Sequence, residues 1–185
     1  MLRKLLQLGL AGMLIWAPGP AAAPARAGEA VAAPLPYQTA PAEPPVRDDI
    51  LASLQCRDRF GHDVPLIKVQ NLGDIGRAWY MNRVPIIAID PHIAGRLPDK
   101  LVRFFYDHEC AHHVLGHWFF FAPDRENDAD CWAVTRERDA GLLRRDEIVG
   151  FAPFLASSPG SPWGHLPGPE RVRHLLFCYD KPLGG

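Results

Sequence analysis

The chain predicts a small α+β domain, a short antiparallel sheet packed on a helical hairpin. Three observations carry that expectation. Val64–Gln70, Arg77–Met81 and Val84–Asp90 are rich in Val, Ile and aromatic residues and are punctuated by Gly, Asn and Pro, as strands are. Leu101–Asp107 is apolar at helical spacing. Gly116 and Pro123-Asp124 then supply a helix stop and a helix start, so two helices should fold back on each other with Asp124 as N-cap.

The remaining elements follow in order. Asp48–Cys56 reads as a short helix capped by an aspartate, and the short links between the three strands favour an antiparallel meander. Leu97-Pro98-Asp99 opens the first helix of the hairpin. Asp146 is placed to cap a further helix running to about Ser157, followed by a Pro/Gly/Ser loop over 158–168. Pro169 suits the first turn of a last helix through Cys178.

The N-terminal stretch is read as targeting rather than fold. Arg3 and Lys4 precede an apolar run of 13 residues, Leu5–Ala17, which is short for a bilayer span. Ala25-Arg26-Ala27 is a small-x-small cleavage site, so residues 1–27 are expected to be a signal peptide and the mature chain to begin at Gly28; an uncleaved anchor is the alternative. Residues 28–47 are rich in Ala and Pro and read as a linker, and 48–185 as one globular domain. Subtracting Arg3, Lys4 and Arg26 from 20 basic residues leaves 17 against 21 acidic ones, a net charge of −4. With no basic tract, nucleic acid is not an expected partner, and no later segment is apolar enough to span a membrane. The expected location is the periplasm or the cell exterior.

An oxidising compartment suits the even count of four cysteines, Cys56, Cys110, Cys131 and Cys178. Three pairings are possible. Cys56–Cys178 with Cys110–Cys131 is preferred, because Cys110 and Cys131 lie on the two hairpin helices; buried free thiols are the alternative.

The hairpin carries the chemistry. Residues 108–112 read His-Glu-Cys-Ala-His, and Glu126 and Asp130 follow on the second helix. His108 and His112, four apart, project from one helical face and can reach one metal ion. Glu126 supplies a third ligand and leaves a fourth position for water, the arrangement of catalytic zinc. Glu109 is placed to take a proton from that water. Asp130 can accept the free N–H of a ligating imidazole. With the turn centred near residue 119, Glu126 should face His112 and Asp130 should face His108. The metzincin pattern does not fit: its glycine and third histidine fall on Leu115 and Trp118, one residue out of register with Gly116 and His117.

His108-Glu-Cys-Ala-His112 with Glu126-x-x-Ala-Asp130 resembles the gluzincin metallopeptidases, in particular the clan of the CAAX prenyl proteases, their soluble relatives and the phage-antirepressor-type proteases. The resemblance spans roughly residues 85–178 and implies zinc held by His108, His112 and Glu126, with Glu109 as base. His165-Leu-Pro167 with Glu170-Arg171 is similar to a His-Pro…Glu-Arg segment of that group, interrupted here by Leu166. It implies that His165 borders the site and holds a substrate oxyanion, and that Arg171 pairs with a nearby carboxylate. By the same resemblance the strand ending at Ile86-Ile-Ala-Ile89 is expected to be an edge that pairs with an extended peptide. The gap between the second histidine and the third ligand is short and no membrane helices follow, so a prenylated substrate is not implied.

These features together lead to the expectation of an exported zinc metallopeptidase acting on a peptide or protein substrate. A non-catalytic zinc-binding interaction or regulatory domain is the alternative. His113 and His117 lie off the His108/His112 face and read as packing residues or as outer partners of the ligands rather than a second metal site; Phe119–Phe121 reads as hairpin-loop packing, with a substrate-pocket lining as the alternative. His62, His92 and His174 show no pattern.

Overall fold

The computed structural model describes residues 48–120, 122–161 and 164–182. The expected signal peptide and linker lie outside the described residues, as does Phe121. The elements are α1 (Asp48–Ser53), β1 (Leu66–Lys68), β2 (Gly76–Met81), β3 (Val84–Ile89), α2 (Pro91–Ala94), α3 (Asp99–Val114), α4 (Arg125–Asp139), α5 (Arg145–Val149), α6 (Ala152–Leu155) and α7 (Gly168–Tyr179). The α+β class holds. Among these helices none is long and apolar enough to cross a membrane.

The sheet corrects the expected antiparallel meander. Its order is β1-β3-β2: β2 and β3 form an antiparallel hairpin, while β1 runs parallel to β3. The hairpin turn is Asn82-Arg83, both at positive φ, as a two-residue turn of matching twist requires. β3 is the central strand because its Ile86–Ile89 run is buried throughout, and an all-apolar strand belongs where both of its edges and both faces are covered. Asp90 locks the crossover. It caps α2 through the N–H of His92 and also accepts from Leu72 N–H, tying the 71–75 loop to the end of β3.

Helix α3 is the spine. Eleven of its sixteen residues are buried, so it is enclosed rather than amphipathic at the surface. Leu101 and Phe104 face one cluster with Ala133 and Val134 of α4, Phe151, and Val172 and Leu175 of α7. Val102, Tyr106 and Cys110, four apart, face a second cluster with Leu51, Leu54, Val64, Ile87 and Ile89. The helix ends as expected: Gly116 at φ +73 lets His117 N–H reach back to His112 C=O. A side chain at Gly116 would also strike Arg59. Asp124 is the N-cap residue of α4, but its side chain makes no capping bond.

The expected helix from Asp146 to Ser157 is instead two short ones, α5 and α6, parted at Gly150. Pro153 cannot donate back to Val149, so one continuous helix would lose that bond. The N-cap of α5 is Arg144, whose N–H donates to Glu147.

The disulfides are Cys56–Cys110 and Cys131–Cys178, which corrects the preferred pairing. Sharing a hairpin did not bring Cys110 and Cys131 together. Cys110 lies two residues, roughly 200°, around α3 from His108, the residue that faces α4. It therefore points into the strand-side cluster beside Cys56. Cys131 points to α7.

Candidate metal centre

The α3–α4 hairpin brings the polar residues to one seam. His108 Nδ1–H donates to Asp130 Oδ1 at 2.7 Å, and the Nε2 atoms of His108 and His112 stand 3.2 and 3.3 Å from Glu126 Oε2. The two Nε2 atoms are 3.3 Å apart. Asp130 thus lies level with His108 and Glu126 within reach of His112, as the mirrored spacing about the turn requires. His165 arrives from the segment before α7 and places its Nε2 2.8 Å from the same Glu126 oxygen. The other Glu126 oxygen accepts from Arg125 Nε.

Each histidine is oriented by its other ring nitrogen. Asp130 holds His108. His117 holds His112, with the two Nδ1 atoms 2.9 Å apart. Ser161 Oγ holds Nδ1 of His165 at 2.9 Å. Burial and the neighbouring His112 push the His117 imidazole down to about 4, so at neutral pH it is uncharged and its bare Nδ1 accepts the His112 Nδ1–H. All three rings therefore turn Nε2 towards one Glu126 oxygen, with the other ring nitrogen held by a second partner, the pattern of ligating imidazoles.

Electrostatics reinforce the arrangement. Burial alone would raise the carboxyl groups of Glu126 and Asp130. Hydrogen bonds from His108, His112 and His165 hold Glu126 well below the ordinary range instead. Arg171 and His108 do the same for Asp130. Burial opposes a charge on His108, yet Asp130 and Glu126 outweigh it and lift the imidazole to about 9. Arg171 grips Asp130 with two bonds, Nε to Oδ2 at 2.9 Å and Nη2 to Oδ1 at 2.6 Å, and lies against the Phe104 and Phe105 rings.

Glu109 stands beside this group and is not part of it. Its Oε2 accepts from Ala78 N–H of β2 at 2.6 Å. Gly76 makes room, since a Cβ there would come within 3.0 Å of Glu109 Cγ. This contact corrects the expected edge strand. β3 is paired on both sides. Ile87 and Ile89 bond towards β1, which leaves Ile86 and Ala88 to bond β2 at Trp79 and Arg77. Gly76, Ala78 and Tyr80 then turn their backbone groups to a free edge of the sheet, and the edge beside Glu109 is β2, not β3. A cavity of about 420 Å³ is lined by Gly76–Trp79, Glu109, His112, Trp118, Glu126 and His165. A larger cavity, about 780 Å³, shares no residue with the histidine group.

His113 is a packing residue: fully buried, it donates Nε2–H to Ile86 C=O and meets Tyr80 edge-on. Ser161, Gly76 and Ala78 were not legible as site residues, whereas His117 takes the outer-partner place that the sequence left open for it. His117 touches His112 only because the chain reverses at Gly116, and nothing marks Ser161 within a loop of small residues. His174 lies against the Cys131–Cys178 disulfide.

The donor set of two imidazole nitrogens and one carboxylate oxygen, from His108, His112 and Glu126, fits a divalent transition metal. Edges of 3.2 and 3.3 Å between donors match a tetrahedron with ligands ~2.0–2.1 Å from its centre. His108, Glu126 and His165 together could hold an ion. No family model, curated protein or solved structure matches the chain.

Proposed function

We propose that the chain is an exported, zinc-dependent peptidase in which His108, His112 and Glu126 hold the metal and Glu109 is the general base. The observation that carries this reading is the separation of duties around one point. Three donor atoms form a metal-sized triangle, while a second buried glutamate, Glu109, stays outside it and lines the adjoining cavity. A purely structural site has no use for such an acid.

When bound, zinc supplies Lewis acidity, bringing a coordinated water towards a pKa of ~7 and polarising a substrate carbonyl. Glu109 takes the proton from the attacking water and delivers it to the leaving amine. Ala78 N–H orients the Glu109 carboxylate for that transfer. The free edge of β2 suits an extended peptide, whose backbone would pair with Gly76 and Tyr80 while its side chains meet Arg77 and Trp79. Asp130, itself clamped by Arg171, keeps His108 in its ligating tautomer.

The two disulfides suit an oxidising compartment, which supports export and cleavage near Gly28. N-terminal sequencing of exported material checks the cleavage point. The central test is metal analysis and hydrolysis of a diverse peptide set, with and without chelator, in the parent and in Glu109→Gln. The variant is expected to keep its zinc and lose ~10²–10⁴-fold in turnover, the usual contribution of a general acid–base. A folded, oxidised, zinc-loaded parent that cleaves nothing supports a binding domain instead.

A further inference from the structure

We infer that His165 is a fourth protein ligand of the metal, so that the site at rest is closed and its water position is opened only when His165 leaves. The inference rests on the metal reading above and differs from a role for His165 in holding an oxyanion.

Position comes first. His165 Nε2 lies 2.8 Å from Glu126 Oε2, on the carboxylate oxygen that His108 and His112 also approach. The donor atoms of His108, Glu126 and His165 fall within 4.8 Å of one another. The ring lines the cavity along β2, but its Nε2 is directed at the protein rather than at that space. This nitrogen faces the ligand carboxylate.

Preparation of the ring is the second point. Ser161 Oγ engages Nδ1, which leaves Nε2 as the ligating nitrogen. The backbone on either side is braced for this pose: Ser161 N–H donates to His165 C=O, Gly164 N–H to Ser161 C=O, and Gly168 N–H to Ser158 C=O. Gly164, at φ +111, brings the backbone against Glu126, where a Cβ would stand 3.4 Å from its Cγ.

The third point is that His165 is the one donor able to leave. Its side chain is 25% exposed, against 1% for His108, 10% for His112 and 8% for Glu126. The other three sit on packed helices. His165 sits on a segment outside any helix.

The cavities show what its departure would do. The 420 Å³ cavity along β2 and a second of about 370 Å³, reaching Ile93, Phe105, Phe154 and Arg171, share Asp74, Glu109, Ser161 and His165 as lining. His165 and Ser161 thus belong to the wall between two halves of one groove. Withdrawal of His165 frees a coordination position and joins the halves beside Glu109. A site that must first open loses apparent affinity for substrate in proportion to its open fraction.

X-ray absorption at the zinc edge of the purified, oxidised chain tests this without a variant. Three imidazoles per zinc are expected. Two imidazoles in a zinc-loaded chain overturn the inference and leave the peptidase reading standing, whereas a chain that binds no zinc overturns both. In His165→Ala the count should fall to two, zinc should release faster to a chelator, and kcat/KM for short peptides should rise several-fold. A fall in kcat/KM with an unchanged imidazole count points to the oxyanion role and sinks the closed site. Ser161→Ala, a milder change, should shift chelator release and kcat/KM in the same directions.

Discussion

Two ends of the same helical seam treat buried acids in opposite ways. On α4, Glu126, Asp130 and Glu137 are spaced four and seven residues apart and all turn towards α3. All three are buried. Near the hairpin turn, three imidazoles and Arg171 surround Glu126 and Asp130 and keep them ionised far below the ordinary carboxylate range. Two turns further on, Glu137 meets another acid, Asp107. Burial and that neighbour push Glu137 up to about 9; burial raises Asp107 as well, against the pull of Arg136, whose Nη1–H donates to it at 3.0 Å. Glu137 is therefore neutral at pH 7. Burial penalises charge at both ends; the partners decide the outcome. Proton affinity is suppressed where imidazoles and Arg171 gather and raised where a second acid is the neighbour.

Removing a ligand should break the charged end most severely. Glu126→Ala is expected to lose zinc affinity by more than the ~10–100-fold typical of an orienting partner. It would also leave His108, His112 and His165 facing one another without a counter-charge. Competition with a chromophoric chelator measures this, and parent-like affinity in the variant would remove Glu126 from the ligand set.

Asp130→Ala should act on the same centre at one remove. It frees the His108 tautomer and leaves Arg171 buried without its acid, so zinc affinity should drop ~10–100-fold. Stability should fall too, by ~3–5 kcal/mol, the cost of an orphaned buried charge. Paired chelator titrations and denaturant melts separate the two effects.

The uncharged end should respond to pH rather than to metal. Because the folded state raises Glu137 above its ordinary 4.5, the neutral acid stabilises the fold fully below about pH 4.5, and that contribution declines as pH climbs to about 9. Glu137→Gln, always neutral, should flatten the fall in Tm between those values and leave zinc content unchanged. Identical pH profiles in the metal-loaded parent and variant would show that Glu137 already ionises freely.

Much of the site was readable because it is local. A 3.6-residue period puts His108 and His112 on one face, and a turn bracketed by Gly116 and Pro123 makes the pairing of 108 with 130 and 112 with 126 a matter of counting. The α+β class followed from strand-like and helix-like periods in succession. Arg171, singled out in the sequence, lies against the Asp130 carboxylate. Glu137 gave no such signal, since an acid on a polar helix looks solvated until the partner helix is in place.

What only the tertiary structure decided was every choice between partners of similar local merit. β2 became the edge and β3 the centre because β1 crossed over to pair in parallel, a step no short-range pattern encodes. The cysteines paired across helix faces that point 100–200° away from the hairpin seam, where sequence proximity offers no guide. His165 lies 39 residues beyond Glu126 in a loop without periodicity, so its 2.8 Å approach depends on how α7 docks. Spacing along one helix is set by covalent geometry and survives any packing, so the sequence by itself determined the hairpin, its His-Glu-x-x-His face and the class of the fold. Which surfaces meet is set by burial summed over the whole chain, and that sum is known only once the chain has folded.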